Sequence, residues 1–161
     1  MPGERTDRTD AETATLSCPS SRPEEPGALV LGVVNGTATE PRVVFLERPV
    51  PVSTELLALA DPVAPTEVFR FSARCREGGC PQFDQGRCQI AARMVDELPT
   101  AVDRLPACSL RPSCRWWRQE GRAACLRCPS IVTDNYSPDP TMRSVAGVGG
   151  IVESGSCQTA P

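Results

Sequence analysis

The chain has 161 residues and a net charge of -3, with 40% hydrophobic residues but only 4% aromatic ones. All seventeen basic residues are arginine, and histidine is absent. This composition excludes a Schiff-base lysine, a P-loop lysine and histidine-based catalytic triads. The length fits one domain, and the 17 prolines and 12 glycines indicate a modest core with disordered flanks.

The N-terminal segment, residues 1–26, mixes charged residues, serine, threonine and proline without periodicity, and we expect it to be a disordered leader. It lacks the apolar stretch of a secretory signal, and no run in the chain approaches the roughly 20 apolar residues of a membrane span. The sequence therefore predicts a cytoplasmic protein without membrane association, whose thiols are kept reduced. Cys18 lies in this leader and is interpreted as incidental.

Residues 27–72 form a predicted β-rich part. Short apolar runs predict three strands, at residues 28–34, 43–46 and 68–71. Asn35-Gly36 is a hairpin signal between the first two strands. Pro49 and Pro51 are expected to end the second strand, because proline cannot donate a ladder hydrogen bond. A short helix over 54–60, capped by Ser53, is expected before the third strand.

Residues 73–132 form a predicted cysteine-rich module with two helices. The first, over 86–98, has one continuous apolar face that includes Cys88, and the second, over 114–120, carries Trp116 and Trp117. The fold class is therefore α+β: a small antiparallel sheet of about three strands packed with this module. Together they make one composite domain over 27–132, followed by a flexible tail over 133–161.

The module holds seven of the nine cysteines, in the pattern C-x4-C-x7-C-x19-C-x5-C-x10-C-x2-C. Thiolates bind zinc, copper(I) and iron–sulfur clusters, which all favour sulfur ligands. Clustered cysteines in a reducing compartment predict metal binding before they predict disulfides. The candidate metal ligands are Cys75, Cys80, Cys88, Cys108, Cys114, Cys125 and Cys128.

An iron–sulfur cluster, most simply [4Fe-4S], is the favoured cofactor. Clusters accept irregular cysteine spacings, and cysteine followed by proline, as at Cys80 and Cys128, recurs in ferredoxin-type sequences. Residues 73–132 contain ten arginines against six acidic residues, which favours an anionic centre. The preferred ligand set is Cys114, Cys125 and Cys128 with either Cys88 or Cys108.

A zinc site is the alternative. Only Cys125 and Cys128 have the C-x2-C spacing of a zinc knuckle, but Cys75 and Cys80, four residues apart, could supply the other half. Disulfide, copper or plain thiol chemistry is a further possibility. Even where metal binds, its role can be to hold a small core together.

Three functions remain open from the sequence. The first is an electron-transfer or accessory protein that acts with a protein partner. The second is a zinc-binding regulatory or nucleic-acid-binding module, although the small charge excess is far from that of a basic nucleic-acid-binding domain. The third is a precursor peptide with a double-glycine junction at Gly149-Gly150 before a short C-terminal core. An enzyme is less supported, because a cysteine nucleophile would lack an activating histidine.

Overall fold

The structure is a computed structural model, and it describes residues 15–147. Its main sheet has four antiparallel strands: β1 Ser17–Ser21, β2 Leu29–Gly36, β3 Pro41–Pro51 and β4 Phe69–Arg74. Their order across the sheet is β1-β4-β2-β3. A separate two-stranded ribbon consists of β5 Phe83–Asp84 and β6 Arg87–Cys88. The sheet is larger than the three strands predicted.

Six short α-helices complete the architecture of residues 15–147. They are α1 Thr54–Ala58, α2 Pro65–Val68, α3 Gln89–Glu97, α4 Arg115–Glu120, α5 Arg122–Cys125 and α6 Pro140–Ala146. The predicted α+β class is confirmed. Within residues 15–147, no helix combines the length and the apolar character that crossing a membrane requires.

The two faces of the sheet carry different cores, and β4 shows the division most clearly. Successive strand side chains point to opposite faces. Phe69 and Phe71 join Val30 in a cluster covered by the α1 region, which contributes Ala60. Arg70, between the two phenylalanines, is fully buried on the opposite face, toward the cysteine module.

A bulge in β2 brings the sheet close to the module. The register shifts between Val30 and Gly32, and Leu31 packs into the core that contains Trp116 and Cys128. Gly32 is required at this point, because a Cβ there would lie 2.7 Å from the carbonyl oxygen of Val44 on β3. The bulge therefore depends on a residue without a side chain.

Two predicted boundaries are wrong in the described part of the chain. The leader predicted to be disordered contains β1, which pairs with β4, so its order comes from tertiary pairing rather than from its own periodicity. β3 continues through Pro49 to Pro51 instead of ending before them. This strand lies at the sheet edge, where a missing backbone donor costs little.

The segment after residue 132 is also more structured than predicted, up to Gly147. Asp134 accepts hydrogen bonds from Arg22 at 2.9 Å and from Thr66 at 2.5 Å, which tie this segment to the N-terminal part. Helix α6 then begins at its N-cap, Asp139. The glycine pair of the predicted precursor junction and Cys157 lie outside the described residues.

Candidate metal centre

Four of the predicted ligands surround one small cavity. The thiols are Cys108, Cys114, Cys125 and Cys128, and the space between them is about 20 Å³. The cavity is otherwise lined by one arginine, Arg111, and by apolar residues: Pro19, Leu31, Phe45, Pro106, Trp116 and Ala124. Of the two cysteines between which the sequence leaves the fourth ligand open, Cys108 lines this cavity and Cys88 does not.

Short turns and helix ends present these thiols. Cys114 is the N-cap of α4, and Cys125 is the last residue of α5. Gly121 separates the two helices with a φ of 64°, a conformation that glycine adopts without strain. This break turns the chain so that both cysteines reach the same cavity. Cys128 begins a 3₁₀ turn, Cys128–Ser130, whose second residue is Pro129.

Arg70, on strand β4 of the sheet, places a buried positive charge beside this site. Its guanidinium donates to the sulfur of Cys128 at 2.9 Å and to the carbonyl oxygens of Cys128 and Ile131 at 2.9 and 2.7 Å. Its Nε donates to the carbonyl oxygen of Pro19 at 2.6 Å. No ion pair in residues 15–147 involves Arg70. A thiol sulfur and neutral carbonyls are therefore its hydrogen-bond partners in that part of the chain.

Arg111 is the second cation at the cavity. It lines the cavity directly, its guanidinium lies 5.4 Å from the ring centre of Trp117, and it also hydrogen-bonds the carbonyl oxygen of Pro106. Its Nε is buried and has no hydrogen-bond partner within the described residues. Buried polar groups are normally satisfied, so this donor marks a place where an acceptor fits.

Burial raises the pKa of three of these thiols, those of Cys114, Cys125 and Cys128, and so favours their neutral form. Burial, reinforced by the neighbouring sulfurs of Cys128 and Cys125, raises the pKa of Cys114 to about 12, although nearby backbone N–H groups oppose the shift. Burial also raises the pKa of Cys128 and Cys125, and the guanidiniums of Arg70 and Arg111 respectively act in the opposite direction. Metal binding would displace these protons, because the thiolate is the ligand.

The donor set fits a sulfur-ligated centre. Four thiols share one apolar cavity, one buried guanidinium is bonded to a sulfur, and a second has an unsatisfied Nε beside the site. Among residues 15–147, no three cysteine, aspartate or glutamate side chains are arranged as the ligands of a single metal ion. The fit therefore rests on the shared cavity and its charges.

The remaining predicted ligands lie elsewhere. Cys75 follows β4, Cys80 ends a 3₁₀ turn, and Cys88 is the N-cap of α3; all three are half-buried and none lines the cavity. The zinc alternative, which joins Cys75 and Cys80 to Cys125 and Cys128, therefore draws on thiols that do not share a cavity.

Sequence reasoning missed the contact made by Arg70 and the ordered position of Cys18. Cys18, interpreted as incidental, lies on β1, and its neighbour Pro19 lines the cavity. The available signal was that Cys18-Pro19 repeats the cysteine–proline pair seen at Cys80 and Cys128. For Arg70, the signal was a basic residue between two phenylalanines in the otherwise apolar predicted strand 68–71.

Comparisons of the chain with protein-family models, with curated proteins and with solved structures found no match. The chemical interpretation of the site therefore depends on its own residues, namely four thiols, two arginines and an apolar wall.

Proposed function

We propose that the chain binds an iron–sulfur cluster through Cys108, Cys114, Cys125 and Cys128 and acts in electron transfer or as an accessory protein to a partner enzyme. The observation that carries the proposal is the contact between the guanidinium of Arg70 and the sulfur of Cys128, 2.9 Å apart and fully buried. It places a positive charge where thiolate ligands would be negative.

The free-energy argument follows from the burial of Arg70. Moving a guanidinium out of water costs several kcal/mol unless an opposite charge or good hydrogen bonds compensate it. Carbonyl oxygens supply part of the compensation here, and a neutral thiol supplies little more. Thiolates bound to iron or zinc carry the missing negative charge, so Arg70 is better explained in the metal-bound protein than in the free one.

Three features favour an iron–sulfur cluster over a zinc ion. The spacings C-x5-C and C-x10-C that lead to Cys125 are irregular, which clusters tolerate because each thiolate binds its own iron. The proline after Cys128 has no N–H group and starts a turn away from the sulfur. The cavity wall is largely apolar, which protects a cluster from water.

The site also favours electron transfer or structural support over catalysis. Four thiols around one cavity can complete the coordination of a cluster, which leaves no open position for a substrate. The chain contains no histidine or lysine to act as a general base beside it. A fully ligated cluster can still exchange electrons, and its binding energy stabilises a small core.

The test is anaerobic purification of the full chain, followed by a visible spectrum and assays of iron, acid-labile sulfide and zinc. We expect a brown protein with iron and sulfide in equal amounts. Replacing Cys125 and Cys128 together by serine should lower the iron content, whereas Cys157→Ser, outside the described residues, should preserve it. A colourless protein with bound zinc would contradict the iron–sulfur assignment, and a protein without bound metal would contradict the centre itself.

A further inference from the structure

Cys88 packs against the core that contains Cys114 and Cys128, but it does not line the first cavity. Trp116 is buried, lines that cavity and belongs to the same core. The guanidinium of Arg70 lies 5.2 Å from the centre of the Trp116 ring. Cys88 is therefore close to the first site without belonging to its cavity.

The register of β1 and β4 brings Cys18 and Cys75 together. Cys18 is paired with Ala73, two residues before Cys75, and the backbone N–H of Cys75 donates to the carbonyl oxygen of Leu16 at 2.8 Å. A residue and the diagonal neighbour of its cross-strand partner share a face of the sheet, at about 7–8 Å. The thiols of Cys18 and Cys75 therefore belong to one side of this strand pair.

Gln119, on helix α4, connects Cys88 to the strand that carries Cys18. The Gln119 side chain accepts from the backbone N–H of Cys88 at 2.8 Å and donates to its carbonyl oxygen at 2.9 Å. At its N-cap, Cys114, the same helix forms a backbone bridge with Ser17, the residue before Cys18 on β1. Cys88 and the strand pair of Cys18 and Cys75 therefore lie on neighbouring elements, joined by α4.

The ribbon β5–β6 places Cys80 near Cys88. The backbone N–H of Phe83 donates to the carbonyl oxygen of Cys80 at 3.0 Å, which closes a turn across Pro81. Phe83 is in turn the cross-strand partner of Cys88. Cys80 is therefore one turn away from the strand pair that ends in Cys88, and it is the fourth cysteine of this part of the chain.

A mostly buried arginine lies at the ribbon that carries Cys88. The guanidinium of Arg115 lies 5.1 Å from the ring centre of Phe83, and its side chain is only 13% exposed. It pairs with the exposed Glu77 at 2.7 Å, but its Nε is buried without a hydrogen-bond partner in the described residues. A second unsatisfied donor thus lies near the ribbon in which Phe83 pairs with Cys88.

We propose that Cys18, Cys75, Cys80 and Cys88 hold a second iron–sulfur cluster, so that the chain binds two clusters. This inference rests on the proposed function, because it assigns the same chemistry to a second site. Each ligand thiol releases one proton on binding. Ferrous and ferric iron in equal amounts, together with sulfide, supply the resting cluster, so its assembly requires no net oxidation or reduction. Eight of the nine cysteines are then accounted for in two sets of four.

The test is reconstitution of the full chain with ferrous iron, ferric iron and sulfide under anaerobic conditions, followed by iron analysis. We expect about eight iron atoms per chain in the unchanged protein, and about four in Cys18→Ser and in Cys128→Ser, since a [4Fe-4S] cluster holds four. Cys157→Ser should bind as much iron as the unchanged protein. Cys75→Ser repeats the test should Cys18→Ser fail to fold.

The outcomes separate the two proposals. About four iron atoms that depend on Cys128 but not on Cys18 or Cys75 would overturn the second cluster and leave the first. No bound iron in any protein would overturn both. As a second readout, two reduced clusters within one chain of this size should broaden each other's electron paramagnetic resonance signal, and the broadening should vanish in either single-site variant. A narrow signal in the unchanged protein would contradict the second cluster.

Discussion

The guanidinium of Arg70 donates a hydrogen bond to the Sγ atom of Cys128 over 2.9 Å. Arg70 belongs to β4, an inner strand of the sheet, whereas Cys128 is the last cysteine of the module. The contact therefore couples the sheet to the candidate centre in both position and charge. The cysteine module thus packs directly against one face of the sheet.

Arg70→Gln should destabilise the metal-loaded protein by about 3–5 kcal/mol, the range for removing one partner of a buried charge pair. It should also lower the reduction potential, because a positive charge that favours the reduced cluster is lost. Arg70→Lys should recover part of the potential but little of the stability, since lysine keeps the charge without the planar fork. Denaturant titration and redox potentiometry measure the two effects.

Arg74→Gln is the matched control for this prediction. Arg74 is on the same strand but exposed, so the change should leave the stability and the potential close to those of the unchanged protein. If Arg70→Gln and Arg74→Gln changed the stability and the reduction potential equally, the buried charge of Arg70 would have no specific effect on the centre.

Removal of the metal should loosen one face of the sheet more than the other. The thiols line the core that contains Leu31 and Trp116, whereas Phe71 belongs to the separate cluster on the opposite face. Metal binding free energy acts as folding free energy for the parts that supply the ligands. Hydrogen exchange after chelation should therefore increase most over residues 106–130 and least over α1. A uniform increase would indicate that the two faces unfold as one unit.

Gly32→Ala should destabilise the protein by about 1–3 kcal/mol, the usual cost of forcing extra atoms into a packed site. The new Cβ would lie 2.7 Å from a backbone oxygen of Val44 and 2.8 Å from a methyl group of Val43. Gly78→Ala is the control, because a Cβ there meets nothing within 4 Å. Urea titrations of the two variants should differ clearly, and equal midpoints would contradict the close approach of β2 and β3.

Acid should weaken the contact between Asp134 and the N-terminal part. Burial favours the neutral carboxyl, but the hydrogen bonds from Arg22 and Thr66 outweigh it and lower the pKa of Asp134. A carboxyl with a lowered pKa stabilises the fold above its unfolded-state pKa, and this contribution is lost as the pH falls through the folded-state value. The stability difference between the unchanged protein and Asp134→Asn should therefore be present at pH 6 and shrink below about pH 4.

Metal release at low pH affects both of these proteins, so the comparison uses their difference rather than either absolute stability. The effect should be modest, because the Asp134 side chain is 41% exposed and its ion pair is screened by solvent. A difference that stays constant from pH 6 to pH 3 would show that the Asp134 carboxylate contributes nothing through its charge.

The local patterns of the sequence predict much of the fold. The apolar run of β2, the Asn35-Gly36 hairpin and the Ser53 cap of α1 all appear where expected, because each depends on neighbouring residues. The strand β1 could not be predicted in this way. Its five residues have no apolar period, and its order comes from pairing with β4.

The candidate site, like the fold, is only partly predictable from the sequence. The sequence shows which cysteines are candidate ligands, because they are numerous and close together in the chain. Which of them share one site depends on the tertiary structure. The cysteine spacing does not distinguish Cys88 from Cys108, but in the structure Cys108 lines the cavity and Cys88, the N-cap of α3, does not. Likewise, the role of Arg70 depends on which face of β4 packs against the module. The alternation of side chains along the strand shows that Arg70 and the phenylalanines lie on opposite faces, but not which face meets the module.

The most direct test of the central claim is X-ray absorption at the iron edge of the anaerobically loaded protein. A cluster held by thiolates predicts a shell of sulfur neighbours and a second shell of iron neighbours around each iron. Iron–iron scattering that is present in the unchanged protein and reduced when Cys125 and Cys128 are both replaced by serine would support the assignment. A zinc spectrum with four sulfur neighbours and no metal–metal scattering would contradict it.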